Sequence, residues 1–122
     1  MSQNQGNESR HQAASGGEAV GLEGLADELL ADLSNQSAGR AARTILSGPK
    51  MRAVVIALAE GTELAEHDAP PAATLHVLRG SVTLRAGERD VPLAAGELAP
   101  IPPERHSVQA HADSAVLLTV AL

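Results

Sequence analysis

The chain contains no cysteine, no tryptophan, no tyrosine and no phenylalanine. Without cysteine, disulfides, thiolate zinc sites, iron–sulfur clusters and cysteine nucleophiles are excluded together, and any metal must be held by histidine and carboxylate. Without aromatic rings there is no cation cage, no platform for stacking bases and no stacking surface for sugars, which argues against single-stranded nucleic acid and carbohydrate as partners. No apolar run approaches the ~18 residues of a membrane span. Met1 to Arg10 have neither the basic start nor the apolar stretch of a secretory signal, so a cytoplasmic protein without membrane contact is expected. A basic excess is missing too, since the formal net charge is −6. Residues 1–39 carry six acids against one base, and residues 40–122 carry nine against eight. The acidity thus belongs to the leader, and neither part has the basic stripe that a phosphate backbone requires, so no nucleic-acid partner is expected.

What remains is a chain of 122 residues, about one domain. Its apolar residues comprise 23 alanines, 28 Ile, Leu and Val, and two methionines, which implies a compact aliphatic core. Residues 1–20, rich in Gln, Asn, Ser and Gly, have nothing to bury against the entropy of ordering and are expected to be a disordered leader. Residues 21–39 follow as helix and linker. Leu22, Leu25, Leu29, Leu30 and Leu33 recur at steps of three and four, one face of a short amphipathic helix. Glu23, Asp27, Glu28 and Asp32 lie on the other side and are expected to form a solvated acidic face, while Ser34, Asn35 and Gly39 supply the stop.

Residues 40–122 show no helical period. Short runs of Val, Leu, Ile and Thr alternate with Gly and Pro, which places strands near 43–47, 51–59, 62–67, 73–79, 81–86, 90–94, 97–101, 105–110 and 115–121. Strands at such spacing with no intervening helix indicate an all-β antiparallel sandwich or barrel. Gly61, Gly80, Gly87 and Gly96 sit where hairpin corners demand positive φ.

Of the five histidines, His11 falls in the leader and His111 in a polar turn beside Asp113. His67, His76 and His106 lie on or beside expected strands, where a barrel can bring distant residues into one cavity. Imidazole suits iron, zinc, copper and nickel, and a catalytic site needs about three protein ligands with one position open. On simple alternation His76 faces away from position 73, and a bulge after Pro70-Pro71 would reverse that. Asp68 and Glu66 flank His67, but neighbouring strand residues point to alternate faces. For the same reason Ser107 beside His106 is not a nucleophile–base pair.

Two segments resemble the motifs of the cupin superfamily, RmlC-like double-stranded β-helix (jelly-roll) barrels. In GTELAEHDAPPAATLHVLRG, Gly61, His67 and Gly80 fall in register with the first motif, G-x5-H-x-H-x3-4-E-x6-G. In GELAPIPPERHSV, Gly96, Pro102 and His106 match the second, G-x5-P-x-G-x2-H-x3-N, with the proline-to-histidine interval one residue short. The resemblance covers about residues 43 to 121 and implies a cupin barrel over 40–122 preceded by a short N-terminal helix. The family's second histidine falls on Ala69, its glutamate on Ala73 and its asparagine on Ala110, so of four implied ligands only His67 and His106 carry over. His76 is the candidate third ligand for a divalent metal (Fe, Mn, Zn or Ni). Pro102 and Pro103 are expected to stiffen the approach to His106.

Three readings follow. The favoured one is a metal-poor module that binds a small apolar or weakly polar molecule or serves as a structural homodimer, because an alanine-rich barrel without aromatic side chains buries limited apolar area and gains from association. The alternative is a metal-dependent enzyme of dioxygenase or isomerase type using His67, His76 and His106; no particular catalytic residue is marked out. A ligand-sensing regulator would have to act through a partner, since no DNA-reading element is present.

Overall fold

The computed structural model describes residues 18–67 and 70–122, with the side chains of Glu66 and His67 outside the described part. The expected leader therefore lies, up to residue 17, outside the described residues, as does His11. Among the described residues the first element is a helix, α1 (Leu22–Ala31), followed by a 3-10 turn over Leu33–Asn35. Then come β1 (Arg40–Ser47), β2 (Met51–Leu58), β3 (Glu63–His67), β4 (Ala73–Arg79), β5 (Ser81–Ala86), β6 (Arg89–Ala94), β7 (Leu98–Pro100), β8 (His106–Ala110) and β9 (Ser114–Ala121).

These strands form two antiparallel sheets, one in the order β1-β2-β9-β4-β7 and the other β3-β8-β5-β6. The pairing is nested, with β5 beside β6, β4 beside β7, β3 beside β8 and β2 beside β9, as a hairpin folded over on itself produces. That nesting defines a jelly roll, the double-stranded β-helix. β1, β7, β3 and β6 are left as edges; β7 is only three residues long and β6 carries Pro92, both common ways of blunting an edge.

Alternation along the strands sorts the residues between two cores. Leu58, Leu75, Val77, Val82, Leu84, Val108 and Val116 point between the sheets and are almost fully buried. On the outer face of the five-stranded sheet Ala53, Val55, Ala57 and Ala115 make a smooth floor, and α1 lays Leu25, Ala26 and Leu29 onto it, joined by Leu33. Small residues on the sheet let the helix approach closely, and its leucines supply the volume. Leu22 and Leu30, expected on the same stripe, are only partly buried at its margins.

The acidic side of α1 is not simply solvated. Asp27 accepts from Arg79 Nε at 3.0 Å, Glu23 lies 3.5 Å from Arg79 Nη2, and Glu28 pairs with Arg43 Nη2 at 3.0 Å. Three of the four acids tie the helix to the barrel because Arg79 and Arg43 flank the apolar floor, a placement that only the tertiary fold supplies. Each exposed pair contributes little by itself, so the helix is held chiefly by its buried leucines.

Candidate functional site

His106 opens β8, opposite His67 of β3 on one side and Ala86 of β5 on the other. Val108 and Ala110 belong to the core between the sheets, so alternation carries the His106 imidazole inward, where it is 2% exposed. Its Nδ1 lies 3.1 Å from the carbonyl oxygen of Glu104. A carbonyl only accepts, so Nδ1 is the donor in this hydrogen bond and the ring is fixed in orientation by it. The lead-in is tight: Ile101 is buried, Pro102 half-buried, and Glu104 N donates to Pro102 O at 2.8 Å.

The other motif positions fall as follows. Gly61, Gly80 and Gly96 all occupy turns at positive φ (84°, 79° and 90°), as the hairpin corners demand. β3 has an irregularity between Leu64 and His67, after which residue 67 is the register partner of His106; the His67 side chain, Asp68 and Ala69 lie outside the described part. Ala73, at the position of the family's glutamate, packs against the inner core and offers no donor.

His76 does not join His106. β4 pairs regularly with β9 from Ala73 to Val77, and its irregularity comes only between Val77 and Arg79, beyond the histidine. No reversal follows Pro70-Pro71, so His76 stays on the face opposite Ala73, Leu75 and Val77. It lies on the outer face of the five-stranded sheet, half-buried between Leu98 and Leu117. As a candidate third ligand it is therefore corrected by strand parity. Among the described residues no group of three or more His, Asp or Glu side chains could hold a metal ion. Among the described residues the donor set does not fit the implied metal: one oriented imidazole inside, and alanine where the carboxylate would be.

Around His76 is a block of sheet without carboxylate, lysine or arginine side chains. Leu98, His76 and Leu117 form one row across β7, β4 and β9, and Pro100, Thr74 and Thr119 form the next. Leu98 is 57% exposed.

A second surface escaped the sequence reading. On the outer face of the four-stranded sheet Glu63, Thr83, Arg85, Asp90, Ser107, Gln109 and His111 line a depression of about 130 Å³. Arg85 donates to Asp90 through Nε (2.8 Å) and Nη2 (3.1 Å), and this guanidinium holds the Asp90 carboxyl below its ordinary range. His111, set aside as a turn residue, meets Thr83 Oγ1 through Nε2 at 2.6 Å. Alternation marks these residues as outward-facing, but only the register of three strand pairs puts them together.

The fold and its nested strand order define the class: a double-stranded β-helix barrel. Among solved structures the chain is similar to a conserved protein of unknown function from Streptococcus pyogenes (TM-score 0.69, 18% identity, covering 90% of this chain and 91% of that one). It is also similar to an RmlC-like cupin protein from Desulfovibrio desulfuricans (TM-score 0.61, 22% identity, 91% and 97% covered) and to a cupin superfamily protein from Desulfitobacterium hafniense (TM-score 0.64, 11% identity, 68% and 77% covered). At the sequence level no family model and no curated protein matches. The chain has the cupin fold. Among the described residues no helix is long and apolar enough to cross a membrane.

Proposed function

We propose that the chain is a binding or structural cupin-fold module that works without a tightly held metal and pairs with a second copy of itself. The observation that carries this reading is the interior: Leu58, Leu75, Val77, Leu84, Val108 and Val116 face the space between the sheets, with His106 the one imidazole described there. Such a lining suits a small apolar or weakly polar molecule whose single polar contact is the His106 ring. It does not suit a cation that needs three or more donors. One observation favours the competing reading, a metal-dependent enzyme: a ring whose Nδ1–H is fixed by a backbone carbonyl is oriented in the way metal-ligating histidines usually are.

Metal content after purification without chelator separates the two. The expected result is well below one metal per chain, with His76→Ala leaving any residual uptake unchanged. Stoichiometric metal that disappears in His106→Ala would establish the enzyme reading instead.

The pairing surface is assigned to the carboxylate-free block around His76. On a chain of net charge −6, two copies meet with least repulsion where neither carries a carboxylate, and Thr74, His76, Leu98, Pro100, Leu117 and Thr119 provide such a face. Light scattering at micromolar concentration is expected to give the mass of two chains. Leu98→Glu sets like charges against each other across the twofold contact and is expected to halve that mass without lowering the melting temperature of the barrel. A monomeric mass for the unaltered chain would refute the pairing.

A further inference from the structure

The outer depression of the four-stranded sheet has no part in the interior reading, and its composition is specific. Gln109 stands opposite Glu63 on one side and Thr83 on the other, while Ser107 stands opposite Arg85, which in turn faces Asp90. The seven lining side chains therefore share one face and arrive from β3, β8, β5, β6 and the turn after β8. Arg85 and Asp90 satisfy each other through two hydrogen bonds and cancel in charge. Glu63 is the carboxylate left over once Arg85 and Asp90 pair; it is exposed, lines the depression and lies within the field of the Arg85 guanidinium.

Ser107 is the second, independent pointer. It is only 8% exposed, yet its hydroxyl has no hydrogen-bond partner among the described residues. The residue is largely covered, while its hydroxyl oxygen keeps contact with solvent. Here the hydroxyl opens onto the depression, as a group waiting for a ligand would. Gln109 adds an exposed amide beside it.

We propose that this depression binds a small organic primary ammonium ion, an amine or amino alcohol in its protonated form. An ammonium group brings three N–H donors and one positive charge. The depression answers with the Glu63 carboxylate, the Ser107 hydroxyl and the Gln109 carbonyl as acceptors, and with a net negative charge. The Thr83–His111 pair and the Arg85–Asp90 pair wall the site and leave polar atoms for a hydroxyl arm on the ligand. At ~30 Å³ per water, 130 Å³ holds about four waters, which limits the ligand to roughly four to six non-hydrogen atoms. So small a ligand on an open sheet face binds with Kd on the order of millimolar.

The test is a titration of the ¹⁵N-labelled full chain with ethanolamine hydrochloride at constant ionic strength, followed by the amide signals of Thr83, Ser107 and Gln109. Saturable shifts at these positions are expected with ethanolamine and none with ethylene glycol, which keeps the hydroxyl and lacks the ammonium. Glu63→Gln, at an exposed position, removes the charge while keeping the shape and is expected to weaken binding about tenfold; Ser107→Ala is expected to weaken it by about threefold or more. Signals outside the depression, unchanged in both variants, verify the fold. The proposal is overturned if ethanolamine gives no saturable shift up to roughly 0.1 M. Equal shifts from sodium ion would overturn it too, since they mean an adventitious cation only, as would unchanged affinity in either variant. None of these outcomes bears on metal content, so the interior reading stands or falls separately.

Discussion

Removing α1 is expected to leave a barrel that is unfolded or aggregated near room temperature, whereas a chain starting at Gly21 melts like the full-length protein. The helix buries Leu25 and Leu29, with Leu33 just after it, and covers Ala53, Val55, Ala57 and Ala115. Each leucine taken fully out of water is worth about 1.5–3 kcal/mol, so the three together are comparable to the whole stability of a small domain, about 5–15 kcal/mol. Starting the chain at Arg40 also bares the sheet floor as one contiguous apolar patch, which invites association. A milder form of the same experiment is Leu29→Ala. A cavity under the helix costs about 2–5 kcal/mol, which for a domain of this size lowers the melting temperature by roughly 10 °C or more. Circular dichroism melts of the full-length protein, the two shortened chains and Leu29→Ala check both statements. Equal melting of the chains starting at Gly21 and Arg40 would show that the helix contributes nothing to the barrel.

The helix and the strands were legible because their signals are local. The leucine period places α1 within a residue or two of its observed ends, and glycine or proline marks most of the strand boundaries. β1 is the instructive exception. It begins at Arg40, three residues before the expected start, because Arg40, Ala41 and Ala42 pair with Leu58, Ala57 and Ile56. Nothing in Arg-Ala-Ala favours a strand, and the partner strand imposes one.

The site was less legible, and for the same kind of reason. The inward direction of His106 follows from alternation with Val108 and Ala110, which is a local property. The fate of His76 turned on whether β4 carried its irregularity before or after the histidine, and that depends on pairing with β9. The depression on the other sheet was out of reach altogether. Glu63, Thr83, Arg85, Ser107 and Gln109 are unremarkable outward-facing residues on three strands far apart in the sequence, and only their register makes them neighbours.

Gly80→Ala is expected to be the most damaging single substitution at any turn of the barrel. Gly80 joins β4 to β5 at φ 79°, where an L-residue pays about 1–2 kcal/mol for the left-handed conformation. An added Cβ there would also lie 2.6 Å from Asp113 O and 2.8 Å from Ser114 Cα, and against the Ser114 hydroxyl. Two of these are backbone neighbours or the main chain itself, which cannot swing aside as a side-chain tip can. The fully buried Ser114 accepts from Ser81 N at 3.1 Å and donates to Ala112 O at 2.7 Å, so its hydroxyl clips the β4–β5 corner to the turn before β9. Pushing the two turns apart breaks that clip and leaves a buried donor unsatisfied, which adds about 1–3 kcal/mol. The total expected loss is roughly 3 kcal/mol or more. Gly96→Ala is the matched control. Its φ is 90°, but an added Cβ meets nothing within 4 Å, so it should lose only the conformational part, about 1–2 kcal/mol. Urea unfolding of both variants measures the difference, which isolates the cost of the close approach. Because β5 starts at Ser81 and carries Thr83 and Arg85, Gly80→Ala should also shift the amide signals around the outer depression, while Gly96→Ala leaves them in place. Equal destabilisation by the two substitutions would mean that the backbone at Ser114 yields to the methyl group, and that the clip does not hold the corner.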